Sequence, residues 1–200
     1  KSNITATFFT RRNSPTLVKR RFVDPNYTRK LFEICFMNGD ALPKNEEETL
    51  LLHLNRVVSD YDLVLITDFG HGMMTPRIID LVCKKAKFLA VNAQSNSANM
   101  GYNFITKYPK ADYICIDEPE ARLALHDRTS ELEAIIRKLS AQLEARFVTI
   151  TRGNHGCMIS SPETGFIGIP ALTNNVIDTV GAGDAFLSIS SPCVAMGLPL

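Results

Sequence analysis

From Pro43 onward the apolar positions switch repeatedly between two spacings. In one they recur every three or four residues, as on a single helix face. In the other they run on for four or five residues, as in a strand buried on both sides. Leu50, Leu51, Leu54, Val57 and Val58 have the helical spacing, and Glu46, Glu47 and Glu48 put acidic charge at the positive end of that helix dipole. Leu63 to Ile66 then reads as a buried strand. Thr75-Pro76 supplies an N-cap and a proline at the first helical position, which predicts a helix through Ile78, Ile79, Val82 and Ala86. Phe88 to Val91 and Tyr113 to Ile116 predict two more strands, separated by an Asn- and Ser-rich stretch without helical pattern. A short helix is expected from Ala121 to Leu125. Ser130 and Glu133 have capping-box spacing ahead of the stripe Leu132, Ile135, Ile136, Leu139 and Leu143. Phe147 to Ile150 is a further strand, and Cys157–Ser160 with Phe166–Ile169 predicts an antiparallel hairpin at the sheet edge.

Strands alternating with helices predict a layered α/β domain around a mainly parallel sheet, occupying residues 41–200. Residues 1–40 have a different texture and form an edge-strand region, with short strands expected at Thr5 to Thr10, Thr16 to Val23 and Leu31 to Met37. The basic cluster Arg11, Arg12, Lys19, Arg20 and Arg21 is either a solvated strand face or a phosphate-facing patch. Open parallel sheets bind ligands at the carboxyl ends of their strands. Here those ends carry Asp68, Asn92, Asp117 and Thr151, predicting a polar rim along one edge.

Composition narrows the picture by exclusion. With 200 residues, 45% of them hydrophobic, the chain can bury a substantial core. A net charge of +1 gives no electrostatic argument for nucleic acid or an anionic membrane as partner. No run is long enough to span a bilayer, and the N-terminus lacks a signal peptide's apolar core. The five cysteines show no C-x-x-C spacing and are expected to be buried, reduced thiols of a cytoplasmic protein. Starting at Lys1 and stopping soon after a glycine turn, the chain is expected to be a fragment of a longer one.

That turn concentrates the chemistry. Asp178-Thr179-Val180-Gly181-Ala182-Gly183-Asp184-Ala185-Phe186 places two glycines between two carboxylates and opens into an apolar run. Glycines at a helix start expose successive backbone N–H groups, which with the helix dipole make an anion site suited to phosphate. Asp184 would repel that phosphate unless it has a task of its own, and a general base is the natural one.

The nonapeptide resembles the second signature, D-T-x-G-A-G-D-x-F, of the ribokinase-like or PfkB-type carbohydrate kinases. The resemblance implies a three-layer ribokinase-like fold and phosphoryl transfer from Mg·ATP to a sugar or sugar-phosphate hydroxyl. It also implies that Asp184 is the catalytic base and that Gly181, Ala182 and Gly183 form the anion hole. Asp178 would stand at the cation site of members that use K⁺. Asp117-Glu118-Pro119-Glu120 lies where the family carries N-x-x-E, implying that Asp117 and Glu120 help hold Mg²⁺ and the phosphates. Thr151-Arg152-Gly153 lies where its T-x-G nucleotide loop falls, implying ATP contacts from Thr151 and Gly153. Within the family the chain is similar to heptose-phosphate kinases of the ADP-heptose pathway. Pro15 to Arg21 resembles their P-T-x-x-K-x-R strand, and Asp68-Phe69-Gly70-His71-Gly72 their D-Y-x-K-G turn. His71 replaces the lysine of that turn and Asp117 the asparagine of N-x-x-E. Edge strands near the N-terminus imply pairing into a homodimer, as lids do in some members.

Two other function classes compete. A non-catalytic nucleotide- or partner-binding module would keep the fold without the turnover. A dinucleotide-dependent oxidoreductase would need G-x-G-x-x-G after an early strand, and Phe186 stands where the third glycine should be.

Overall fold

The computed structural model describes residues 3–25, 29–95, 99–173 and 180–198. An antiparallel ribbon comes first, β1 (Val18–Asp24) with β2 (Arg29–Phe36). Then follow α1 (Lys44–Val57), β3 (Val64–Asp68), α2 (Pro76–Lys85), β4 (Leu89–Ala93), β5 (Tyr113–Asp117), α3 (Glu118–Ala124), α4 (Leu132–Gln142), β6 (Phe147–Thr151), β7 (Cys157–Ser161), β8 (Gly165–Ile169) and α5 (Ala182–Ala195). The main sheet has six strands in chain order, β3 to β8; the first four are parallel and the last two antiparallel.

Strand alternation sorts the core into two faces. On β5, Ile114 and Ile116 pack with Ile79 and Val82 of α2, Ala121 of α3 and Ile135 and Leu139 of α4. Tyr113 and Cys115 point the other way, to Leu187 and Val194 of α5. The result is a three-layer α/β sandwich in which α5 stands on the face opposite the other helices. Burying both faces explains why β4 and β5 are continuous apolar runs rather than alternating ones. The Tyr113 hydroxyl fastens α5 to the sheet, hydrogen-bonding Thr149 Oγ1 at 3.1 Å and Ser190 Oγ at 2.9 Å.

Several sequence expectations change. Thr5 to Thr10 forms no strand, because no neighbouring strand lies beside it among the described residues. The β1–β2 ribbon likewise has no partner in the main sheet, and its apolar side chains Phe22, Leu31, Phe32 and Phe36 are exposed. Ser130 does not cap α4: its hydroxyl bonds the Asp127 carboxylate at 2.8 Å, and the N-cap position falls on Glu131 with no side-chain bond. The five cysteines are free, but only Cys115 and Cys157 are buried; Cys35, Cys83 and Cys193 are half-buried. Cys35 lies on the exposed ribbon, and Cys83 donates to the Lys110 carbonyl at the molecular surface.

Candidate active site

Parallel register aligns the strand ends as expected. Thr67 lies beside Asn92 and Asp68 beside Ala93, while Asp117 lies beside Thr151. The four rim residues do different work. Asp68 is 4% exposed; its Oδ2 accepts Tyr108 Oη at 2.8 Å and pairs with Lys107, while its Oδ1 accepts the Gly70 N–H at 2.9 Å. It therefore organises the turn after β3. Burial and the Asp68 charge push the Tyr108 phenol far above its usual range, so it remains a donor. Asn92 donates to the Cys115 carbonyl at 2.7 Å, fastening β4 to β5, while its Oδ1 is buried without a partner. Thr151 makes a long contact, 3.4 Å, with the Ile116 carbonyl.

Asp117 starts α3. It has extended backbone angles and accepts the Glu120 N–H at 2.7 Å, while Glu120 Oε2 accepts the Asp117 N–H at 3.2 Å. This reciprocal capping box is the one that sequence reasoning placed at Ser130 and Glu133. The other Glu120 oxygen accepts the Ser95 N–H at 2.9 Å. Burial, the adjacent Asp117 charge and a smaller contribution from Asp184 push the Glu120 carboxyl up to about 7, against the pull of the two backbone N–H groups. Burial raises Asp117 as well. Asp117 and Glu120 thus stand as a close carboxylate pair, with the Asp184 charge near enough to act on Glu120. Among the described residues, no group of three or more His, Cys, Asp or Glu is placed to ligate a metal directly. A divalent ion placed here would take most of its ligands from water or a bound anion, with Glu120 and Asp117 contributing charge. Asp178 lies outside the described residues.

The glycine turn stands across from this pair. Gly181 has φ +80, a left-handed angle that favours glycine, and serves as N-cap of α5. Ala185 N–H to Gly181 O at 2.9 Å closes the first turn, so the amides ahead of it have no intrahelical partner. Gly183 is different: its backbone is helical, yet a Cβ there would meet nothing within 4 Å. Neither conformation nor packing requires glycine at that position; its effect is to keep the space over the helix start open. Asp184 sits in the first turn, and its Oδ1 accepts Gln94 Nε2 at 3.0 Å. Nothing in the local pattern could reveal Gln94, which is 90 positions away.

Thr151, Gly153 and Asp117 line one cavity of about 930 Å³, together with Arg122, Arg152 and His126. Arg152 and Arg122 both pair with Glu118, at 2.8 and 2.7 Å. Gly156, just beyond, lets the chain pass close to β8: a Cβ there would sit 1.9 Å from the Ile169 carbonyl oxygen. Asp184 does not line this cavity. Its charge acts on Glu120, the capping partner of Asp117 at the cavity's edge. His71, in the turn after β3, stacks on Phe69, and Lys19 of the ribbon lies over the same Phe69 ring at 5.6 Å. Both His71 nitrogens are buried without partners among the described residues, and burial and Lys19 lower its basicity.

Known sequences and structures show the family and the fold. The pfkB family carbohydrate kinase pattern matches residues 2–197. The chain belongs to the pfkB family. Its relatives include the bifunctional protein HldE of Wolinella succinogenes, 25% identical over 196 residues, covering 96% of this chain and 40% of that protein. HldE of Geotalea uraniireducens is 28% identical over 186 residues, covering 92% and 37%. The pfkB-family chain therefore spans about two fifths of the length of these relatives. Among solved structures, phosphofructokinase-2 from Escherichia coli superposes with a TM-score of 0.66 at 13% identity, covering 84% of this chain and 56% of that one. Ribokinase of Arabidopsis thaliana, in complex with ribose and ATP, gives 0.61 at 16% identity, covering 94% and 59%. These likenesses show a ribokinase-like three-layer fold, as the alternating pattern and the glycine turn led us to expect.

Proposed function

We propose that the protein containing this chain transfers the γ-phosphoryl group of Mg·ATP to a hydroxyl of a sugar or sugar phosphate. One observation carries the reading: Asp184 sits in the first turn of a helix whose leading amides have no intrahelical partner, with its charge acting on the carboxylate pair at the end of β5. Asp184 takes the acceptor's proton. The amides of Gly181, Ala182 and Gly183 lie where charge gathers on the transferring group, and their field needs no reorganisation during the reaction. Mg²⁺ neutralises phosphate charge when bound; Glu120 and Asp117 draw it to the strand ends. Thr151 and Gly153 contact the nucleotide from the cavity beside α3. K⁺ at Asp178 belongs to the same proposal, as does a cytoplasmic setting, which supplies ATP.

The acceptor best supported is a heptose phosphate, on the strength of the Pro15–Arg21 and Asp68–Gly72 motifs and the HldE relatives. Residues 1–40 act as a lid, since Lys19 already reaches from the ribbon to the Phe69 ring of the β3–α2 turn. The exposed apolar ribbon suits pairing with a second copy. Titrating the full-length protein with Mg·ATP and following ADP release across hexose and heptose phosphates tests the reading. Asp184→Asn should abolish release while ATP binding persists. Nucleotide binding with no turnover for any sugar would instead support a non-catalytic module, which the extra carboxylate at Asp117 favours.

A further inference from the structure

Gln94 follows β4 directly, and its backbone is fixed on both sides. Its N–H donates to the Asp68 carbonyl at 2.9 Å. Its own carbonyl accepts the side-chain amides of Asn99 and Asn103, each at 3.1 Å. Those two amides also donate to the carbonyls of Phe69, at 2.8 Å, and Asp68, at 3.0 Å. The cluster is closely packed: a Cβ on Gly70 would lie 2.2 Å from the Asn99 side-chain nitrogen. The Gln94 main chain is thus locked to the Asp68–Gly72 turn, and only its side chain extends, ending on Asp184 Oδ1.

A carboxylate in the first turn of a helix has two free torsions and two equivalent oxygens. A general base must present one particular oxygen to one particular hydroxyl. An amide N–H on Oδ1 removes the equivalence and leaves Oδ2 for the proton. Both side chains are half-exposed, so water could satisfy either polar group, and the bond contributes little to folding. Its consequence is orientation. We propose that Gln94 is the positioning residue of the base: it fixes Oδ1 of Asp184, assigns proton acceptance to Oδ2, and ties the aim of the base to the turn after β3. This rests on Asp184 being the base.

The test uses the full-length protein carrying Gln94→Glu, Gln94→Leu, Gln94→Lys or Asp184→Asn, assayed for ADP release with Mg·ATP and whichever hexose or heptose phosphate the wild type turns over. Gln94→Glu sets a carboxylate against a carboxylate and should lower kcat about 100-fold; Gln94→Leu should lower it about tenfold. Gln94→Lys keeps a donor and should stay within about threefold, and the KM for ATP and Tm should hold throughout. Wild-type kcat in Gln94→Glu, or equal losses in all three Gln94 variants with raised KM or lowered Tm, would overturn the proposal. Turnover retained by Asp184→Asn would instead remove the parent reading. Independently of turnover, the Gln94 side-chain amide signal in ¹⁵N spectra should move in Asp184→Asn; a signal that stays in place also overturns the proposal.

Discussion

The Glu120 carboxylate accepts the backbone N–H of Ser95, 25 positions earlier, and so joins the start of α3 to the loop after β4. It does so while half-buried and beside Asp117, and partial desolvation and the Asp117 charge push its carboxyl up from 4.5 to about 7. A carboxyl raised in the folded state binds a proton that the unfolded chain releases, so stability falls as pH rises from about 4.5 to about 7. Urea unfolding without metal should show this slope in the wild type and lose it in Glu120→Gln. At pH 8 the variant should be more stable, by on the order of 1–2 kcal/mol after allowance for solvent screening. Equal slopes in the two proteins would show that Glu120 is not the titrating group.

Asp117→Asn separates capping from charge at the same site. Asparagine caps a helix about as well as aspartate, so folding should change by less than about 0.5 kcal/mol, whereas Asp117→Ala should cost about 1 kcal/mol. Removing the Asp117 charge also removes the second largest cause of the Glu120 shift. Asp117→Asn should therefore move the Glu120 midpoint down, measurable from carboxyl ¹³C shifts. An unmoved midpoint would show that the Asp117 charge is not a cause of the shift.

These two residues also show what the sequence could and could not reveal. Asp117-x-x-Glu120 and Ser130-x-x-Glu133 have identical capping-box spacing, and spacing alone cannot choose between them. The structure chooses by context. Asp117 leaves a strand in extended conformation and enters α3 at once, while the Ser130 hydroxyl is taken by Asp127. The parallel strands were legible because burial on both faces writes itself as unbroken apolar runs. The glycine turn was legible because its composition is unusual. Residues 5–10 alternate like a strand but have no neighbour to pair with among the described residues. Gln94, Asn99 and Asn103 left no signal, since their roles come from backbone carbonyls brought near by the fold.

The two glycines of the α5 turn should respond oppositely to alanine. Gly181→Ala forces a Cβ onto a residue at φ +80 and should cost about 1 kcal/mol or more in stability. Gly183→Ala meets no neighbour and lies in helical backbone. It should be neutral or stabilise by about 0.4–1 kcal/mol, yet under the proposed reaction its methyl would enter the space of the transferring phosphoryl group, and kcat should fall. Denaturation and ADP-release assays on the same samples check both halves. Full activity in Gly183→Ala would show that this space is not used.

His71 offers a test on the acid side. Its ring nitrogens are buried without partners among the described residues, and burial and Lys19 depress its basicity below the ordinary histidine value of 6.5, outweighing the opposing pull of Asp68. The folded protein thus resists a proton that the unfolded chain accepts, so stability is fully present above pH 6.5 and declines as pH falls below it. His71→Leu removes the group from both states. The difference in unfolding free energy between wild type and His71→Leu should therefore be constant above neutrality and shift in favour of the variant below about pH 6. A difference that stays flat down to pH 5 would mean that the His71 ring finds a hydrogen-bond partner in solution.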